Sequence, residues 1–458
     1  MQVIKMQQCV SVHDIITFDV KRMGINGEGI GYYEKLAIFV EQALPGESIE
    51  AEITEVFPNR ANAKIKRIIK PSKDRIVPFC PVYDACGGCQ VQHFNYRAML
   101  AQKKDILRKS FDRYLPNYPT HIFKDTVGMK NPMNYRNKAS LPIRKVKGKT
   151  RFGMYARNSN QFIPIEDCGV QHPMINQIFT GLVQLIDELK IEAYDPKTKK
   201  GYLTHVVVRI TEHKEEVQVS FITLKRMANL MVLAEELVKK FPKIKSIFEV
   251  VNSDTKRQTF FTEDIRLIYG KEMIDETLNG FNFSLKPEAF FQLNTTQAEK
   301  FYQKMNELAN LKEDEIAIDA YAGIAPISHY IASNAKKVYA IELDKGATTS
   351  AKESLKRNKI QNVEVIQSDF AKALKNLPEK HIDVMLFDPP RTGLGHETIE
   401  LIKKYKPKRL VYGSCNPSTL AKDLNELISM YDIKEVVPFD MFPFTSLVES
   451  VTLLELKH

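Results

Sequence analysis

The side chains of this sequence best suited to chemistry gather toward its C-terminal end. Cys415 closes the apolar run of LVYGSC, and Asn416, Pro417 and Ser418 follow it with turn and helix-start chemistry. A strand that stops in this way presents its end at the rim of an open parallel sheet, where ligands bind. Upstream, IDVMLFDPPRTGL delivers Asp388 into a double-proline turn followed by Arg391, and downstream Glu449 stands just ahead of the strand-like VTLLEL. A thiol, two carboxylates and a guanidinium at strand edges suffice for nucleophilic catalysis with proton transfer. Taken alone, Cys415 would serve as well as a small buried hydrophobe, since free cysteine is among the most buried residue types.

The elements that must position these groups are legible from about residue 285 onward. EIAIDAY, KKVYAIEL, VEVIQSD, IDVMLFD and RLVYGSC alternate with helical stretches, the mark of a doubly wound parallel sheet of Rossmann type. In AIDAYAGIAPISHYIA a strand runs into a turn at Gly323 and then a helix, and the next strand ends at Glu342. An acid at that place accepts hydrogen bonds from ribose hydroxyls in nucleoside-binding sheets, although a purely structural βαβ unit reads the same way.

A second set of reactive groups lies far from the first. FCPVYDACGGCQVQHFNY holds Cys80, Cys86 and Cys89, and IEDCGVQH adds Cys168. Six cysteines in a long chain do not make a disulfide scaffold, so four that cluster in this way point to a metal centre. Zinc and iron–sulfur both accept four thiolates; the spacing of five residues, then two, then a remote fourth ligand fits paired zinc knuckles poorly. Cys9 has no partner in this scheme.

Residues 11–70 alternate short β-like runs with Gly/Asn turns and predict a small OB-like barrel. Its Lys21, Arg22, Arg60, Lys64, Lys66 and Arg67, interleaved with Tyr32, Tyr33 and Phe57, suit single-stranded nucleic acid or merely a solvated surface. Residues 71–280 read as an α+β unit, with a helix over 95–112 that could serve either neighbour and a basic, aromatic stretch at 133–165; residues 281–458 complete the chain. With 43 % hydrophobic residues in 458, there is enough for several cores, and a net charge of +10 favours an anionic partner. Neither an apolar leader after MQVIKMQQCV nor a run long enough to span a bilayer is present, which predicts a cytoplasmic protein.

The segments around Asp388, Cys415 and Glu449 resemble the motifs of the RNA 5-methyluridine methyltransferases, and the resemblance extends over nearly the whole chain. It implies Cys415 as nucleophile and Glu449 as general base, with S-adenosylmethionine held by Gln292 of FFQLN, Tyr321, Glu342, Asp369 and Asp388. GEGIGYY and ALPGE resemble the RNA-binding TRAM barrel of this family. The four cysteines match the [4Fe-4S] ligands of its ribosomal-RNA branch, which makes 23S ribosomal RNA the expected substrate. A monomer is the expected state. Ala322, Ala325 and Pro326 occupy a turn where the family usually carries a cysteine and a second glycine, and Leu447 stands where a histidine often occurs. Transfer RNA is the alternative substrate, and a noncatalytic RNA-binding or assembly role is the alternative class.

Overall fold

The computed structural model describes residues 9–254, 259–379 and 381–457. The start of the chain, residues 1–8, on which the leader reading partly rests, lies outside them.

Five strands, Ile15–Met23, Gly29–Tyr33, Leu36–Val40, Ser48–Phe57 and Arg60–Lys70, close into a barrel in the order first, second, third, fifth, fourth. Alternation explains the closure: Ile16, Phe18 and Val20 of the first strand point inward with Ile38, Val40, Ile49 and Ile53, and the residues between them face out. The glycines of GEGIGYY permit close approach, for a Cβ on Gly31 would lie 2.4 Å from the Phe18 ring.

Residues 71–95 then run without helix or strand to the helix Tyr96–Tyr114. A mixed seven-stranded sheet follows, ordered Ile265–Gly270, Ile244–Val251, Val217–Thr223, Leu203–Ile210, Lys138–Val146, Lys149–Tyr155, Phe162–Pro164. Helices Pro173–Glu188 and Leu230–Lys240 bury Phe179, Leu182, Leu233 and Leu237 against it.

The C-terminal sheet is ordered Val363–Gln367, Lys337–Glu342, Ile316–Ala320, Val384–Phe387, Arg409–Ser414, Glu449–Leu456, Tyr431–Phe439. All neighbours are parallel except Glu449–Leu456, which is antiparallel on both sides. The order reverses between Ile316–Ala320 and Val384–Phe387, so the ligand crevice lies at the carboxyl ends of those strands.

Two connections differ from what periodicity offers. The hairpin Ile274–Leu278 with Phe281–Leu285 straddles residue 280, and its Ile274, Leu278, Phe283 and Leu285 share one core with Phe301 and Met305 of the C-terminal half. The helix Tyr96–Tyr114 buries Leu107 and Phe111 with Leu420 and Leu424 of that half, and Met99 and Ile106 with Met23 and Leu44 of the barrel. An amphipathic stripe says that a helix must be covered and nothing about what covers it.

Candidate active site

Register brings the two predicted catalytic residues together. Strand Arg409–Ser414 pairs antiparallel with Glu449–Leu456, and the ladder ends at Ser414 opposite Ser450. Cys415 directly follows Ser414, and Glu449 directly precedes Ser450, so both lie at the same end of the ladder. Asn416 caps the following helix, accepting from the Ser418 amide, while its side-chain nitrogen donates to the Arg391 carbonyl at 3.0 Å. Thr419 Oγ1 donates to the same carbonyl at 3.3 Å, so the Asp388–Arg391 turn and the Cys415 turn are held as one piece.

The electrostatics agree with that proximity. Burial, aided by the Glu449 and Asp388 carboxylates, pushes the Cys415 thiol up to about 11, with Arg391 opposing. Glu449 is 7 % exposed, and burial followed by Asp388 raises it to about 8 against the pull of Lys103 and Arg391. Burial lifts Asp388 to about 6. Desolvated carboxylates of this kind titrate near neutral pH and can exchange protons.

The other predicted cofactor residues sit along the same crevice. Glu342 ends its strand and accepts from the Gly323 amide at 2.8 Å and the Asp344 amide at 2.8 Å, fixing the acidic turn. Tyr321 and Ala325 both take left-handed backbone, at φ 60° and 61°, beside Gly323 at 57°. The Tyr321 ring stacks on Phe370, and Asp369 caps the helix that carries Phe370. Gln292 is buried, and its carbonyl accepts from Asn137 of the middle unit at 2.9 Å.

Three residues of this neighbourhood escaped sequence reading. Asp319 is fully buried, held by the Ser328 amide and hydroxyl at 2.9 and 2.6 Å, and raised to about 7 by burial with Asp388 and Glu342 nearby. Tyr302 places a buried phenol among Gln292, Asp388 and Glu449. Lys103, from the helix Tyr96–Tyr114, reaches the residues just ahead of Glu449. Asp319 lies in the strand already recognised as AIDAY; nothing local marks the other two.

Cys415 opens onto a cleft of about 1510 Å³ whose walls come from all three units. Arg391, Asn416 and residues 445–448 form one side; Arg136, Tyr155 and Arg157 another; Phe39, Arg60, Asn62 and Lys64 of the barrel a third. Arg60 lies over the rings of Phe57 and Phe39 at 4.8 and 5.5 Å. Of the other basic barrel residues, Lys21 is paired with Asp19, Lys66 with Glu52 and Arg67 with Glu50, while Arg60 and Lys64 face the cleft.

Cys80, Cys86, Cys89 and Cys168 line a second cavity of about 480 Å³, which shares Arg136 with the cleft and has Lys138 in its wall. The Gly88 amide donates to Cys86 Sγ at 3.4 Å. Burial raises Cys86 and Cys168 and takes Cys89 to about 12, and neighbouring thiols add to each shift. Among the described residues no three His, Cys, Asp or Glu side chains gather as a site for one metal ion. Nor is any described helix long and apolar enough to cross a membrane.

Comparison with known proteins accounts for this architecture. The tRNA (uracil-5-)-methyltransferase family profile matches residues 95–457. An RNA methyltransferase of Halalkalibacterium halodurans is 41 % identical over 443 residues, 95 % of each chain. One from Enterococcus faecalis is 37 % identical over 455 residues, 98 % of this chain and 100 % of its own. Among solved structures, the Pyrococcus abyssi tRNA (uracil-54, C5)-methyltransferase in complex with S-adenosyl-L-homocysteine superposes with TM-score 0.75 and 26 % identity, covering 96 % of this chain and all of that one. This chain belongs to the RNA (uracil-5-)-methyltransferase family and is an S-adenosylmethionine-dependent RNA methyltransferase.

Proposed function

We propose that this enzyme methylates C5 of a uridine in 23S ribosomal RNA, with Cys415 as nucleophile and Glu449 as base. The observation that carries the chemistry is the strand pairing that brings Cys415, at the cleft, and Glu449 to the same end of one ladder, close enough for the Glu449 carboxylate to raise the Cys415 thiol. Uracil C5 is a poor nucleophile, and a thiolate added at C6 turns the ring into an enolate whose C5 is a good one. S-adenosylmethionine, when bound, supplies an electrophilic methyl group on a sulfonium. Cys415 forms the bond to C6, and the electron pair of the C5–C6 double bond passes toward O4 and returns to C5 for methyl transfer. Glu449 then takes the C5 proton, the double bond re-forms, and the Cys415–C6 bond breaks to release thiolate. Arg391 and Asp388 border the position of the base's polar edge. Because C5 is inaccessible within a stacked helix, the target nucleotide must be extruded into the cleft.

In this reading Gln292, Tyr321, Glu342, Asp369 and Asp388 hold the cofactor along the crevice. The division of labour is a barrel at 11–70, a central unit at 71–280 and a methyltransferase unit at 281–458, tied across by the helix and hairpin described above. The enzyme works as a cytoplasmic monomer.

The substrate assignment rests on the four-thiol cavity. Cys80, Cys86, Cys89 and Cys168 share one cavity of about 480 Å³, and its residues would suit [4Fe-4S]: four soft ligands, an amide on one sulfur, and the Arg136 cation beside Cys89 and Cys168. A cluster of this kind is the feature by which the chain resembles the ribosomal-RNA branch. A transfer-RNA substrate is favoured instead by the likeness to the Pyrococcus abyssi enzyme. Mapping 5-methyluridine in both RNA classes, from cells with and without the gene, tests the choice. Loss of a modified position in 23S RNA is expected, and loss in transfer RNA alone would move the assignment.

A further inference from the structure

Between strands Tyr431–Phe439 and Glu449–Leu456 the chain makes a strap, residues 440–448, that walls the cleft beside Cys415 and delivers Glu449. The strap is gripped largely by residues from outside the C-terminal sheet. Asn294 Nδ2 donates to the Met441 carbonyl at 3.0 Å, the Tyr135 hydroxyl to that of Pro443 at 3.2 Å, and the Gln90 and Val91 amides to that of Phe444 at 3.0 and 3.1 Å. The largest share falls to Lys103. Its ammonium, 1 % exposed, pairs with the fully buried Asp440 at the start of the strap and donates to the Phe442 carbonyl at 3.2 Å and the Leu447 carbonyl at 2.6 Å. Three donors thus span the strap from first residue to last but one, ending two residues from Glu449.

A buried ion pair is weak ground for stability, because well-packed apolar side chains replace such pairs at little cost or at a gain. This one stands beside an ionisable group that the reaction uses. Glu449 is faced by Asp388 from the end of Val384–Phe387, by Arg391 from the turn after it, by Cys415 from the turn after Arg409–Ser414, by Tyr302 from Thr295–Ala309, and by Lys103. Asp388 favours the protonated acid; Lys103 and Arg391 favour the carboxylate.

We propose that Lys103 is a positioning residue for methyl transfer: clamped on Asp440 and two strap carbonyls, it fixes the approach of Glu449 to the cleft and supplies the buried positive charge that lets this carboxylate act as a base. The proposal rests on the reading of Glu449 as the group that removes the C5 proton.

The test uses full-length Lys103→Met, which keeps length and loses charge, and Lys103→Met/Asp440→Leu, which removes both charges so that neither is left buried alone. Each is followed by the pH dependence of release from the covalent RNA complex, with melting temperature and KM for S-adenosylmethionine in parallel. The midpoint of release is expected to move up by at least about one pH unit in both, which slows release near neutrality by roughly tenfold. Covalent complex accumulates at pH 7 and resolves at pH 9, while KM for S-adenosylmethionine stays within about twofold. A folded variant whose rate falls by the same factor at every pH, or whose midpoint stays put, overturns the proposal. So does failure of both variants to fold, which would make the pair a folding element. Glu449→Gln is run alongside: if it turns over at the wild-type rate, the base reading itself has failed, whatever the Lys103 variants do.

Discussion

Cys415 and Cys89 are both held from ionising by burial, the first at about 11 and the second at about 12, yet their surroundings are built for different ends. Cys415 is a single thiol among Glu449, Asp388 and Arg391 at the mouth of a cleft large enough for a nucleotide. Cys89 has three other thiols and the Arg136 guanidinium about it, and shares a cavity with them. The carboxylates beside Cys415 can accept and return protons, so ionisation there can be transient and tied to bond formation. The thiols around Cys89 raise one another, and permanent ligation to a cationic group relieves that repulsion. The same residue type thus meets two different sets of neighbours, which on the proposed reading suit a nucleophile in one place and a ligand in the other.

The comparison breaks most visibly at the ligand site. Protein purified without oxygen should be brown and carry about four iron and four sulfide per chain, and Cys89→Ser or Cys168→Ser should lose most of both. Colourless protein with stoichiometric zinc would contradict the polynuclear reading. Neither substitution touches Cys415, so any folded remainder should still form the covalent RNA complex.

A smaller effect is expected on the cofactor side. Gln292→Ala should raise KM for S-adenosylmethionine roughly tenfold, the worth of one well-placed hydrogen bond, with the covalent step at saturating cofactor nearly unchanged. An unchanged KM would remove Gln292 from the cofactor site.

The raised carboxylate predicts a stability difference with a definite sign. Glu449 sits at about 8 in the folded protein against an ordinary value of 4.5. The stability that goes with its burial as a neutral acid is complete below the ordinary value and is lost as pH climbs through 8. Glu449→Gln should therefore melt near wild type at pH 5 and above it at pH 9. Equal melting differences at the two pH values would show that Glu449 is ionised throughout. The smallest change concerns Ala325, in left-handed backbone at φ 61°. Ala325→Gly should stabilise by about 1 kcal/mol, since the non-glycine penalty there is relieved; a loss of stability would mean that the methyl group's packing outweighs the strain.

Much of the site was legible because the chemistry lies at strand ends. Apolar runs that stop at Asp388, Cys415 and Glu342 announce the rim of a parallel sheet, and the barrel shows in the two-residue alternation of 11–70. Four cysteines in two distant segments could be grouped by ligand count alone. Pairing was not legible: the antiparallel strand that brings Glu449 to the Cys415 end of the sheet is placed by packing, and sequence order gives no register. Lys103 was hidden for a related reason. It lies 337 residues from Asp440 along the chain, on a helix whose basic face looks solvated until the strap covers one position of it. The pairing of Lys66 with Glu52 and Arg67 with Glu50 across neighbouring barrel strands was likewise not legible, because sequence order does not place those acids opposite them.

The account stands on the asymmetry between Cys415 and Glu449, and a denaturing gel of enzyme mixed with substrate RNA and labelled S-adenosylmethionine reads it directly. Glu449→Gln should stall after methyl transfer, slowed by about 10² to 10⁴, and leave a slow-migrating band that carries the label. Cys415→Ala should give neither band nor product. Product from Cys415→Ala, or wild-type turnover by Glu449→Gln with no trapped band, would contradict the mechanism.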